Sequence, residues 1–162
     1  MAKIKGFYNI IETIKTALEA EPFTNTVSYG NVDEIDLNKQ TIFPLAHVVV
    51  NNCVVSKNTL TANISILAMD IVDESKDATT DLYVGNDNEQ DVLNTQLSLL
   101  NRIIAKMQRG DLFSQADGAS GNMFQIEGDV TCEPFVDRFE NRLAGWAATF
   151  DVVVQNDMTI CD

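Results

Sequence analysis

Two stretches of this chain alternate at period two over nine or more residues, and they constrain the fold more than any other feature. In the first, Leu60, Ala62, Ile64, Ile66 and Ala68 alternate with Thr61, Asn63, Ser65 and Leu67. In the second, Trp146, Ala148, Phe150, Val152 and Val154 share one side, and Ala147, Thr149, Asp151, Val153 and Gln155 take the other. Successive strand side chains point to opposite faces, so each stretch predicts a long strand with one dry face that must be covered. Leu67, Met69 and Ile71 continue the first alternation on the opposite face. That predicts either a sheet covered on both sides there or a bulge that shifts the register.

Two amphipathic helices are available as the cover. From about Gly6 to Glu21, Phe7, Ile10, Ile11, Ile14, Ala17 and Leu18 recur at helical spacing, with Asn9, Glu12, Lys15 and Glu19 on the other side. Pro22 ends this helix, because the residue before a proline is pushed out of helical angles. The second runs from about Glu89 to Arg109, with Val92, Leu93, Gln96, Leu97, Leu100, Ile103, Ile104 and Met107 on one broad face. Asp87 or Asn88 can cap its start, Lys106 and Arg109 suit the negative end of its dipole, and Gly110 follows.

Shorter strands fill the rest: Thr24 to Tyr29, a run through Ile42 to Val50, Met123 to Glu127, and Val130 to Val136. Pro44 cannot donate to a ladder and marks a strand start or an edge. Ser56-Lys57-Asn58 reads as a hairpin turn, Asp73 to Asp91 as a polar loop interrupted by Leu82-Tyr83-Val84, and 117–122 as another loop. Strands interrupted by two helices predict an α+β fold, a mainly antiparallel sheet with both helices packed on one face. At 162 residues, residues 1–162 are expected to form one domain without internal repeats, large enough to bury roughly two-thirds of its unfolded surface.

Charge narrows the class of partner. Eleven Lys and Arg stand against 24 Asp and Glu, a net charge of −13. Such a field repels phosphate backbones and anionic lipid, so it keeps the protein in solution or suits a wall past which DNA must slide without sticking. No apolar run reaches the ~18 residues of a membrane span, and 1–6 lack the apolar block of a signal peptide, so synthesis in the cytoplasm is expected.

The residues that could carry chemistry do not form a pattern that does. Cys53, Cys132 and Cys161 are far apart and odd in number, which reads as three thiols, with Cys53 expected in the core. With one histidine, zinc lacks ligands. His47 lies between Ala46 and Val48 and reads as a hydrogen-bonded structural histidine. A Cys53–His47 pair, six apart on one strand face, would be separated by about 20 Å. Gly118-Ala119-Ser120-Gly121 lacks the lysine of a phosphate loop and leads into a strand. Asp73, Glu74, Asp77, Asp81, Asp87, Glu89 and Asp91 lack the spacing of a calcium loop and read as solvated. No context singles out a carboxylate pair for glycoside chemistry. The expectation is a protein without catalytic residues, cofactor or metal.

Two segments carry a resemblance. Asp91-Val92-Leu93-Asn94-Thr95-Gln96-Leu97, with Leu100-Asn101-Arg102-Ile103-Ile104, is one; Glu140-Asn141-Arg142-Leu143-Ala144-Gly145-Trp146 and its alternating strand is the other. Together they resemble tail-terminator (tail-completion) proteins of long-tailed bacteriophages. The resemblance implies a small α+β subunit of a hexameric ring at the head-proximal end of the tail tube, docked to neck proteins in the virion. Its partners would be its own copies, the tail tube and connector proteins, with DNA passing through unbound and no membrane involved. Under that reading Asp73, Glu74, Asp77 and Asp81 are candidates to line the channel or an interface, with Asp33, Glu34 and Asp36 as the second choice. Another ring protein of the same neck, or an acidic cellular module that blocks a basic protein surface, are the alternatives.

Overall fold

The computed structural model describes residues 5–34, 42–72, 89–109, 125–126, 128–138 and 143–156. Helix α1 (Lys5–Glu19) leads to strand β1 (Thr26–Tyr29) and a short 3-10 turn, Val32–Glu34. Strands β2 (Leu45–Val55) and β3 (Thr59–Ile71) follow, then helix α2 (Glu89–Gln108) and strands β4 (Gln125–Ile126), β5 (Thr131–Arg138) and β6 (Leu143–Gln155). They form one six-stranded sheet in the order β1-β2-β3-β6, with β4 and β5 both laid along the far side of β6. Four of the five pairings are antiparallel; β1 alone runs parallel to its neighbour β2. The fold is therefore α+β.

Both helices lie on the same face. Ile10, Ile14 and Leu18 of α1 and Leu99, Leu100 and Ile103 of α2 join Ala46, Val48, Leu60, Ala62, Ile64, Ile66, Ala148, Phe150, Val152 and Val154 in one buried cluster. These are the dry faces of the two long alternations, brought side by side by a ladder from Thr59↔Gln155 to Ile71↔Leu143 without a break. The α2 stripe is as expected at Val92, Gln96, Leu100, Ile103, Ile104 and Met107, but Leu99 is also buried, whereas Leu93 and Leu97 are only partly covered.

At the far end of β3 both faces are covered. Leu67 and Met69 pack with Phe43, Leu45, Phe135 and Leu143 in a second cluster on the side away from the helices. The bulge lies elsewhere, in β2 between Val50 and Asn52. It corrects two expectations about Cys53. The extra residue moves Cys53 into register with Ala62, a core position on the helix side, whereas His47 is in register with Leu67 of the other cluster. The two therefore do not share a face, since one residue of slip reverses every side chain beyond it. Nor is Cys53 core: it is exposed, although its ladder partner Ala62 is buried.

Trp146 departs from the buried position that the dry face of its alternation predicts. It is only partly covered, because it lies at the margin of the helix layer, where its indole Nε1 donates to the Leu93 carbonyl at 2.8 Å. Pro44 directly precedes β2, after a cis Phe43-Pro44 bond, and its carbonyl accepts from the backbone of Asn25 and Thr26. Glu21 closes the exit of α1. Its side chain is 1% exposed, its Oε1 accepts from Lys106 Nζ at 2.7 Å, and Arg102 Nε lies 3.2 Å from Oε2 as an ion pair without hydrogen-bond alignment. This clamp fixes the end of one helix to the last turns of the other.

Candidate interaction face

Opposite the helices, the middle of the sheet carries a row of polar side chains held to one another. Asn51 Nδ2 donates to Asn63 Oδ1 and to Ser65 Oγ, each at 2.8 Å. Asn63 Nδ2 donates to Asp151 Oδ1 at 2.8 Å, and Ser65 Oγ lies 2.8 Å from Thr149 Oγ1. The row crosses β2, β3 and β6, and it is the bulge at Asn51 that brings that amide over the neighbouring strand. Its side chains are fixed in place and carry a single charge, Asp151. Such a surface suits contact with a polar partner, or the passage of an anion that it does not hold.

His47 is 1% exposed and has both ring nitrogens engaged. A carbonyl can only accept, so Nε2 carries the hydrogen and donates to Gly30 O at 3.0 Å, and Nδ1 accepts from the Ser28 hydroxyl at 2.7 Å. A serine beside a histidine suggests nucleophilic chemistry. Here the histidine is sealed and faces a backbone carbonyl, and neither of the clefts below includes Ser28 or His47. The pair locks the short parallel strand β1 onto β2, and Gly30, at φ 130°, makes the turn that presents the carbonyl. This is the structural histidine expected from its apolar neighbours.

Two clefts flank α2. One, of about 550 Å³, lies between Leu97, Ser98, Asn101 and Ile104 of the helix and Asp129, Val130 and Cys132. Burial raises the Cys132 thiol above its ordinary range, which keeps it protonated and a poor nucleophile. The other, of about 470 Å³, lies between Pro22 to Asn25, Asp70 and the first turns of α2, with Asp91 and Thr95 on its wall. Among the described residues no group of three or more His, Cys, Asp or Glu could hold a metal ion.

In the second cleft, burial raises the Asp70 carboxyl, partly opposed by the hydrogen bond from the Ile71 amide to Oδ1. A carboxyl raised on folding binds its proton more readily in the folded state. Its contribution to stability is therefore present below the unfolded pKa and lost as pH rises through the folded one. Asp70→Asn keeps an acceptor for the Ile71 amide and removes the charge. The variant is expected to melt above the parent at neutral pH, with the gap closing as pH falls through the acid range. A gap that widens toward acid would contradict this assignment.

Asp73, Glu74, Asp77 and Asp81, with Cys161 and 118–121, lie outside the described residues. Asp33 is exposed at the 3-10 turn that Glu34 ends, and Asp36 lies outside the described residues. Sequence reasoning missed the polar row. Asn63, Ser65, Thr149 and Asp151 read as outward positions, but their mutual bonds depend on a pairing across 84 to 88 residues of chain. Among the described residues no helix is long and apolar enough to cross a membrane. No protein-family model matches the chain, and no curated protein matches it.

Proposed function

We propose that this chain is a structural subunit of a long-tailed bacteriophage that forms a ring at the head-proximal end of the tail. The observation that carries this reading is the meeting of the two segments that resemble tail-terminator proteins. They are about 50 residues apart in sequence, yet one forms α2 and the other opens β6. They touch through Trp146 Nε1 and the Leu93 carbonyl, and through a small cluster of Val92, Leu93 and Ala144. The likeness therefore falls on one packed unit of helix on strand.

The charge supports the same reading. A net −13 and a polar sheet face whose bonded row bears one carboxylate give phosphates nothing to grip, as a DNA passage requires. Asp73, Glu74, Asp77 and Asp81 are the proposed lining of that passage or of a subunit interface. Ring neighbours meet through unlike patches, so six copies close without a leftover surface. Purified protein, alone and mixed with tail tubes, is expected to show rings by negative stain and a species several times 17.9 kDa by light scattering. A strict monomer under both conditions would overturn the proposal. Binding only to a basic cellular protein, without rings, would favour an acidic blocking module instead.

A further inference from the structure

Among the described residues the outer edge of β2 is open over half its length. β1 pairs only with Leu45 to Val48, and the Gly30 amide closes on the Val48 carbonyl. From there to Val55 no strand among the described residues lies on that side. Residues 51–58 are all exposed, with Val54 at 59% and Val55 at 70%. An open strand edge presents unpaired amides and carbonyls, and proteins ordinarily blunt it with charge or proline. The opposite edge of this sheet is blunted: β5 carries Pro134 and an exposed Glu133, next to an exposed Asp129. The β2 edge carries neither, and its only relief is the bulge at Asn51.

Its charge is also exceptional in this molecule. No Asp or Glu occurs from residue 37 to 69, so the β2–β3 hairpin bears only Lys57 until Asp70 at its far end, in a chain with 24 acidic residues. Two copies, each at −13, repel wherever their acidic surfaces meet. They can approach through this hairpin, and an antiparallel twofold pairing brings the two acid-free edges together while the acidic remainder stays apart.

We infer that two copies of this chain pair along the β2 edge, Asn51 to Val55 of one running antiparallel to the same residues of the other, about an axis at or next to Cys53. With the axis at Cys53, Val54 comes opposite Asn52 of the other copy and Val55 opposite Asn51, and the two Cys53 residues face each other. The contact uses one patch twice, whereas the ring uses unlike patches, so this inference does not rest on the proposed function.

Cys53 is exposed and supplies the probe. Reduced protein at high micromolar concentration is expected to sediment as a dimer, or as paired rings where rings form, and a short bismaleimide is expected to link Cys53 to Cys53. The link should disappear in Cys53→Ser. Val54→Lys and Val55→Lys place like charges across the pairing and remove apolar contact. Both positions are exposed, so the melting temperature should hold while the dimer weakens by at least about tenfold. A monomer at every concentration, a dimer indifferent to both lysines, or a link from Cys53 to Cys132 of another copy would each overturn the inference. Rings on tail tubes without a Cys53–Cys53 link would overturn it while leaving the proposed function standing.

Discussion

Replacing Gly145 by alanine is expected to abolish cooperative folding or to lower stability by ~3 kcal/mol or more, one of the two largest losses expected of any single substitution in this chain. A Cβ at 145 would overlap the Ala68 carbonyl oxygen and sit 2.9 Å from Met69 Cα. Both belong to the backbone of β3, which is paired to β2 on one side and β6 on the other and cannot step back. Gly145 also stands opposite Phe135 of β5, so displacement of β6 would be resisted there too. Gly128 is the comparison. At φ +74° it has nothing within 4 Å of an added Cβ, so its alanine variant should lose only the ~1–2 kcal/mol of left-handed backbone strain. Urea midpoints for the two variants would decide the matter. Equal losses would mean that β3 and β6 separate more easily than their continuous ladder implies.

Phe150→Ala is the second. Phe150 is 4% exposed, opposite Ile64 in the ladder and under the helix layer, so truncation leaves a cavity between rigid strands and helices. The expected cost is about 3–5 kcal/mol. Its neighbour Asp151 is exposed on the other face and accepts from Asn63, which an asparagine oxygen can also do. Asp151→Asn should therefore cost far less. Comparable shifts in the thermal midpoints of the two variants would contradict the placement of these faces.

What could be read from the residues was whatever is periodic. The stripes of α1 and α2 and the dry faces of β3 and β6 follow from spacing alone, because burial on one side repeats with the geometry of the element, and the turn at Ser56 to Asn58 follows from its residue types. What could not be read depends on who pairs with whom. Asn51 looks like any polar residue, and only the β2–β3 register shows that it is the extra residue that turns Cys53 to the helix side of the sheet. β1 runs parallel to β2 although its four residues carry no sign of direction. Leu99 is buried because α2 lies between two strands rather than against one edge, which widens its apolar stripe beyond the expected positions. For the candidate interaction face the same division holds. The outward polar positions were legible, but the row they form was not, since its members come from three strands.

The order of the strands also sets a clock. β2 and β3 are consecutive and joined by a tight turn, so that hairpin can close within microseconds. The neighbour on the other side of β3 is β6, last of the strands in chain order, and its thirteen-residue ladder begins at Ile71↔Leu143. At ordinary synthesis rates the ribosome needs on the order of seconds to make the stretch between them. Throughout that time β3 offers an unpaired edge bearing Ile64, Ile66 and Met69, and both helices lack the floor that Phe150 and Val152 provide. β4 and β5 have nothing to pair with until β6 arrives, since β6 is their only partner in the sheet among the described residues. The sheet therefore stays half-built around the β2–β3 hairpin until its last described strand arrives, and a nascent chain is most exposed to aggregation just before that strand pairs.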